Sequence, residues 1–200
     1  MMDIRQELVQ VYRWLRQYGL NDSHSGNASV RVEDEFWITP TGACADTLGV
    51  DDLVRCPVTG ELPERASLDA PLHRAVYRAC PGARAVLHSH GPASIAVTLD
   101  GRDFRPVDFE GQYYFRQVPV IRMPYSAYVE RSPEAVAAVL KAHPVAVVCG
   151  HGVYAAGESL DRAYKWTCSL ESSARLWLLA RQAGTLDKAP EPFPATEAQP

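Results

Sequence analysis

The sequence predicts an α/β domain in which helices cover a sheet. Two observations support this fold class: in some segments apolar residues recur at steps of three and four, and other segments are short, apolar and rich in β-branched residues. Because the two kinds of segment alternate along the chain, they are expected to pack as layers. The chain has 200 residues, and residues 1–184 are expected to form one domain.

The first half of the chain is predicted to contain two helices with two strands between them. The first helix covers residues 3–18, where one face is apolar, and Gly19 follows it. One short strand alternates over residues 28–32, and the segment EFWITPTG forms the next. The segment ASLDAPLHRAVYRAC has helical spacing, with Ser67 as its candidate N-cap.

The second half continues the alternation. The segments ARAVLHSHG and PVAVVCGHGVYAAG are apolar and β-branched, as expected of buried strands. Between them, SPEAVAAVLKAH has a Ser cap and a proline at the first helical position. The longest predicted helix covers residues 159–183, and the Pro-rich tail, residues 185–200, is expected to be disordered.

Composition argues against several classes of function. A net charge of −4 argues against nucleic acid as the main partner, because phosphate backbones require clustered Lys and Arg. No run approaches the roughly 20 apolar residues of a membrane helix. The polar N-terminus lacks the apolar core of a signal peptide, so the expected compartment is the cytoplasm. The five cysteines are far apart and form no CxxC, which favours buried free thiols.

Histidines stand at the ends of two apolar runs. His88 and His90 end the first, and because residues i and i+2 of a strand share a face, their side chains should lie together. His151 ends the second run, between two glycines. Three neutral imidazoles with one open position are typical of a catalytic zinc site, whereas ordinary hydrogen bonds at a strand end are the alternative. His73, inside a helix, and His143, before a proline, are weaker candidates for chemistry.

Five stretches carry a resemblance to the class II aldolase/adducin family: SGNASVR, WITPTG, ASLDAPLHRAVY, AVLHSHG and VVCGHGVYAAG. Their order and spacing resemble those of the family over residues 5–183. The resemblance implies a three-layer α/β fold with a central, mostly antiparallel sheet flanked by helices. It also implies homotetramers with active sites at subunit interfaces. The implied cofactor is a divalent metal, Zn²⁺ or otherwise Mn²⁺, Co²⁺ or Fe²⁺, with His88, His90 and His151 as ligands.

The resemblance also assigns acid–base residues. Asp69 occupies the position of the family's acidic residue, which is usually Glu in the aldolases and Asp in the similar pentose-phosphate epimerases. It is implied to be a general base or a fourth metal ligand; the alternative is a helix-start residue stabilised by the helix dipole. Glu110 lies near the position of a proton-donating tyrosine that reaches the neighbouring subunit's site, and a small register error would exchange it with Tyr113 or Tyr114. A loop carboxylate in water is the alternative for Glu110.

The loop SHSGNASV and the turn TPTG resemble the family's phosphate pocket, which is built from backbone N–H groups and small polar side chains. The matching residues are Gly26, Asn27, Thr41, Gly42 and Ser67. Two positions depart from the pattern: His24 replaces a small hydroxyl residue and could still donate to a phosphate, and Leu68 replaces a serine. A pocket that holds a carboxylate or no anion is therefore the alternative.

The implied function is a metal-dependent aldolase, a lyase that cleaves a small phosphorylated ketose. The retro-aldol reaction would pass through a metal-stabilised enediolate and give dihydroxyacetone phosphate and an aldehyde. An epimerase, decarboxylase or dehydratase acting on a sugar phosphate is the nearest alternative, because each requires a metal-held enolate or a polarised carbonyl. A three-His iron oxygenase fits the ligands, but cupin-type oxygenases are all-β. A non-catalytic scaffold is disfavoured because all three histidines are present.

Overall fold

A seven-stranded sheet forms the centre of the fold in the computed structural model, which describes residues 3–189. The spatial order is β3-β2-β1-β4-β7-β6-β5. Neighbouring strands are antiparallel except for β5 and β6, which are parallel. The strands are β1 Asn27–Val32, β2 Glu35–Ile38, β3 Val54–Pro57, β4 Ala85–Ser89, β5 Val120–Ile121, β6 Val145–Val148 and β7 Gly152–Gly157. The predicted α/β class with a mostly antiparallel sheet is confirmed.

Helices cover both faces of this sheet. On one face, α2 and α5 pack on the strands, and α1, α3, α4 and α6 cover the other. Alternation along β4 separates the layers: Val86 packs beneath α2 and α5, whereas Ala85 and Leu87 face α1 and α6. The helices are α1 Ile4–Gln17, α2 Ala70–Ala79, α3 Pro92–Val97, α4 Phe109–Tyr114, α5 Tyr128–Leu140 and α6 Leu160–Ala183.

Two predicted helix starts are wrong. Ser67 is not the N-cap of α2: the helix begins at Ala70 with Asp69 at the N-cap position, and the Ser67 hydroxyl accepts a hydrogen bond from the Asp69 N–H at 3.2 Å. Helix α5 begins at Tyr128 rather than after Ser132, because the Tyr128 hydroxyl is held by Asp69 and the turn before it leads directly into the helix. The Ser-Pro pair that resembles a helix start therefore lies inside α5.

The remaining predictions on the fold have mixed outcomes. All five cysteines are free, but Cys56 alone is buried and the others are half-buried. Residues 185–189 of the predicted tail contain a short 3₁₀ turn, Leu186–Lys188, and residues 190–200 lie outside the described residues. No helix within residues 3–189 is both long enough and apolar enough to cross a membrane.

Glu171 joins the longest helix to the segment that follows His90. Glu171 is 4% exposed, and its carboxylate accepts hydrogen bonds from the backbone N–H groups of Ala93 (3.1 Å) and Ser94 (2.9 Å). The Ser94 hydroxyl and the Arg175 guanidinium also donate to it, at 2.8 and 3.1 Å. The sequence predicts such partners because burying an unpaired carboxylate is costly, and this prediction is confirmed.

Replacing Glu171 with Ala should destabilise the protein by about 2–4 kcal/mol, because buried N–H and O–H donors lose their acceptor. Urea unfolding measures the change. Glu158→Ala is the control: Glu158 is exposed and lies 3.5 Å from Arg162, so its removal should change stability by less than about 0.5 kcal/mol. Equal losses in the two variants would contradict the structural role of Glu171.

Candidate active site

Three histidines converge at one end of the sheet. His88 lies in β4, His90 follows that strand directly, and His151 lies in the turn between β6 and β7. Because β4 and β7 are antiparallel, the end of β4 and the start of β7 meet at the same edge. The Nε2 atom of His88 is 2.9 Å from Nε2 of His90 and 3.1 Å from Nε2 of His151. The structure therefore brings together the three residues that the sequence predicts as metal ligands.

Glycine permits the close approach of these rings. A Cβ atom at Gly152 would lie 2.6 Å from a ring carbon of His90 and 2.8 Å from one of His88. It would also lie 2.5 Å from the Ser89 carbonyl oxygen. Any side chain at position 152 would therefore push β7 away from the histidines, which explains the glycine after His151.

The electrostatic state of the histidines fits a bound cation. His88 Nδ1 lies 3.1 Å from the Val153 carbonyl oxygen, an acceptor that requires the proton on Nδ1 and leaves the Nε2 lone pair free. Burial lowers the pKa of His88 to about 3, and burial also lowers the pKa values of His90 and His151. Lone pairs directed at one point repel each other unless a cation lies between them. Three neutral imidazoles form a donor set that suits zinc and similar divalent ions.

Asp69 lies beside the histidines. Although it occupies the N-cap position of α2, its side chain makes no capping hydrogen bond. The carboxylate instead accepts hydrogen bonds from Asn27 Nδ2 at 2.9 Å, the Tyr154 hydroxyl at 3.0 Å and the Tyr128 hydroxyl at 2.7 Å. Burial opposes ionisation, the hydrogen bonds from Asn27 and Tyr128 favour it, and the pKa of Asp69 lies below its ordinary value. Asp69 is thus a buried, ionised carboxylate.

An open pocket of about 200 Å³ connects Asp69 and the three histidines to the predicted anion-binding residues. Its wall includes all of those residues: His24, Gly26, Asn27, Thr41, Gly42 and Ser67. Leu68, which is 62% exposed, also lines it, and no Lys or Arg of the described chain does. Two larger surface grooves, of about 680 and 630 Å³, contain none of the predicted ligands. The small pocket is therefore the candidate active site.

Two predicted catalytic residues lie apart from this pocket within one chain. Glu110 and Tyr113 are exposed residues of α4, and neither lines the pocket. Tyr114, their neighbour, packs against Trp166 of α6. Their assignment as catalytic residues stays a prediction that requires a second subunit.

Sequence reasoning missed two tyrosines. Tyr154 is paired with His88 across β7 and β4, and its ring is stacked on the His88 ring with centroids 4.1 Å apart. It lies in the quoted stretch VVCGHGVYAAG, so a correct strand register would have found it. The ring of Tyr128 lies 4.5 Å from that of His151. No sequence signal pointed to Tyr128, because its position depends on how α5 packs.

Comparison with known proteins agrees with this geometry. The sequence matches the family described as the Class II Aldolase and Adducin N-terminal domain over residues 6–178. The crystal structure of an L-fuculose-1-phosphate aldolase from Thermus thermophilus has a TM-score of 0.85 and 34% identity, covering 95% of this chain and 98% of that one.

Two curated relatives have different activities. A 3-oxo-tetronate 4-phosphate decarboxylase of Cupriavidus necator is 30% identical over 88% of this chain and 83% of its own length. A 5-methylthioribulose-1-phosphate/5-deoxyribulose-1-phosphate aldolase of Rhodospirillum rubrum is 28% identical over 98% of this chain and 88% of its own length. Similarity of this kind identifies the fold and the superfamily but leaves the reaction to the site itself.

Replacing His88, His90 or His151 singly with Ala should remove the metal and abolish turnover while the protein stays folded, since two imidazoles hold the ion far less tightly than three. Metal content by elemental analysis and circular dichroism measure the two effects. His143→Ala, at a half-buried histidine outside the pocket, is the control and should retain metal. Full metal occupancy in the three ligand variants would refute the assignment.

Proposed function

The chain belongs to the class II aldolase and adducin family and is an enzyme of the class II aldolase type, and we propose that it cleaves a small phosphorylated ketose in a divalent-metal-dependent retro-aldol reaction. The products are dihydroxyacetone phosphate and an aldehyde. The observation that supports this most strongly is that one pocket contains three convergent imidazoles, an ionised buried carboxylate and a loop of small polar residues.

Small polar groups would bind the phosphate. Within residues 3–189 no Lys or Arg lines the pocket, so hydrogen bonds from Asn27, Thr41 and Ser67, with His24 at the rim, would hold the anion. Gly26 and Gly42 have φ values of +68° and +66°, which glycine adopts at no steric cost and which shape the two turns of the pocket.

The three histidines would hold the cation. When bound, a divalent ion, Zn²⁺ or otherwise Mn²⁺, Co²⁺ or Fe²⁺, supplies Lewis acidity to the carbonyl and hydroxyl oxygens of the ketose. His88 keeps its Nε2 lone pair available because Nδ1–H donates to Val153.

Asp69 would move the proton at the carbon that becomes C3 of the dihydroxyacetone product. Asp69 is ionised and 7% exposed. In cleavage it would bind a proton from solvent and pass it to that carbon, and in the reverse condensation it would take the same proton back as the general base. Cleavage also requires a base for the hydroxyl that becomes the aldehyde, and Glu110 or Tyr113 of a neighbouring subunit would serve it. The proposal therefore includes a homotetramer in which α4 of one subunit approaches the pocket of the next.

The Cupriavidus necator relative favours a second candidate reaction. Decarboxylation of a 3-oxo acid phosphate develops the same enolate charge as aldol cleavage and requires the same cation and phosphate pocket. Epimerisation and dehydration make similar demands on the site.

Incubating the zinc-loaded protein with a panel of phosphorylated ketoses and, separately, with a phosphorylated 3-oxo acid tests the proposal. We expect dihydroxyacetone phosphate to appear, detected by NADH oxidation with glycerol-3-phosphate dehydrogenase. Release of carbon dioxide, loss of water, or conversion to an isomer with no dihydroxyacetone phosphate would instead identify the decarboxylase, the dehydratase or the epimerase and overturn the aldolase proposal.

Thr41→Ala should raise KM for the phosphorylated substrate about 10-fold and change kcat less than about 3-fold, because a phosphate contact is present in both ground and transition states. Steady-state kinetics measure both constants. Thr59→Ala, at an exposed threonine outside the pocket, is the matched control. If KM is unchanged in both Thr41→Ala and His24→Ala, the pocket does not bind phosphate.

A further inference from the structure

Three residues in one row across the sheet lie beside Asp69. In the antiparallel register, His88 of β4 is paired with Asn27 of β1 on one side and with Tyr154 of β7 on the other. Residues paired in this way point to the same face. Asp69 approaches that face from the start of α2 and accepts hydrogen bonds from both ends of the row, from Asn27 and Tyr154.

Tyr128 adds a third donor from helix α5. It is the first residue of α5, and its hydroxyl donates to Oδ1 of Asp69 at 2.7 Å. The two other donors bind Oδ2. The hydroxyls of Tyr128 and Tyr154 also touch each other. Each oxygen of Asp69 is therefore engaged by at least one donor, and the carboxylate is fixed in position and orientation.

Each tyrosine also touches a histidine of the candidate metal site. The ring of Tyr154 is stacked on His88 at an interplanar angle of 3°, and the ring of Tyr128 lies 4.5 Å from that of His151. The same two side chains thus pack against the imidazoles with their rings and hold Asp69 with their hydroxyls. A change at either tyrosine would alter the distance between Asp69 and the histidines.

The hydrogen bonds keep Asp69 beside the ligand cluster and outside it. Oδ2 of Asp69 lies 3.9 Å from Nε2 of His88, and this oxygen already accepts two hydrogen bonds. Within the described residues, the groups close enough to share an ion are His88, His90 and His151. An oxygen with both lone pairs occupied is a poor metal donor.

We propose that Tyr128 and Tyr154 are positioning residues that hold Asp69 as a general base and prevent it from becoming a metal ligand. The proposal rests on the metal-dependent reaction proposed above and names the residues that determine the role of Asp69 in it. It also accounts for an aspartate at this position: the phenol of Tyr154 reaches the short carboxylate from β7 and that of Tyr128 reaches it from α5. Neither tyrosine needs to contact the substrate for this role.

A double-mutant cycle tests the proposal in the active enzyme. Tyr154→Phe and Tyr128→Phe should each lower kcat about 10- to 100-fold, the usual effect of removing a group that orients a functional residue. KM and zinc affinity should stay within about 3-fold. In an Asp69→Asn background, itself about 10²- to 10⁴-fold slower, the same changes should have almost no further effect. Losses that multiply in that background, or zinc affinity that falls together with kcat, would overturn the proposal.

Tyr77→Phe is the matched control for a merely structural effect. Tyr77 is a fully buried phenol on the same face of the sheet, and its hydroxyl contacts Ser29 at 2.6 Å rather than Asp69. Its variant should lower the melting temperature as much as Tyr154→Phe does and leave kcat unchanged. A loss of kcat in Tyr77→Phe that equals the loss in Tyr154→Phe would show that the tyrosines act through stability alone.

Cobalt binding distinguishes failure of this proposal from failure of the proposed reaction, because it requires no substrate. The visible spectrum of bound Co²⁺ reports the number and type of its ligands. Asp69→Asn should leave the spectrum unchanged, and Tyr128→Phe/Tyr154→Phe should change it as the released carboxylate reaches the ion. Adding Asp69→Asn to that double variant should restore the original spectrum. A spectral change in Asp69→Asn alone, or none in the tyrosine double variant, would contradict the positioning role whatever the enzyme's reaction is.

Discussion

The register of β4 between β1 and β7 is the constraint on which the site depends. It places Asn27, His88 and Tyr154 in one row across three strands. Since the side-chain period of a strand is two, a slip of one residue would turn His88 into the opposite layer, among the apolar residues beneath α1 and α6. The alternation that buries Val86 under α2 therefore also directs His88 towards Asp69.

Hydrogen bonding makes this buried polar site tolerable. A carboxylate and an imidazole that are each under a tenth exposed would be costly to bury alone. Asp69 has three donors and His88 has the Val153 carbonyl, so little of that cost remains. The same groups explain why the site is stiff: they come from three strands and two helices, and no one of them can move without breaking contacts to the others.

The sequence predicted the elements with long, regular patterns. Helices α1 and α6 begin and end close to the predicted residues, and strand alternation correctly joined His88 to His90. The start of α5 was missed because a Ser-Pro pair has the local chemistry of a helix start, while the contact between Tyr128 and Asp69 is long-range. The short helix α3 was also missed. The sequence did predict that the Glu171 carboxylate binds a nearby backbone group, and the groups it binds are the first N–H groups of α3. Local pattern thus located the candidate metal ligands, and packing between distant segments brought together the tyrosines that we propose orient Asp69.

X-ray absorption of the zinc-loaded protein tests the central claim, that strand register assembles a three-histidine metal site, most directly. The account predicts three imidazole nitrogens at about 2.0–2.1 Å from zinc, with oxygen completing the coordination and no sulfur ligand. The absence of sulfur is an informative prediction because Cys149 is only two residues from His151. In the structure the Cys149 Sγ is directed at the carbonyl oxygens of Thr98 and Leu99 and not at the histidines. A sulfur neighbour at about 2.3 Å, or fewer than three imidazoles, would contradict the account.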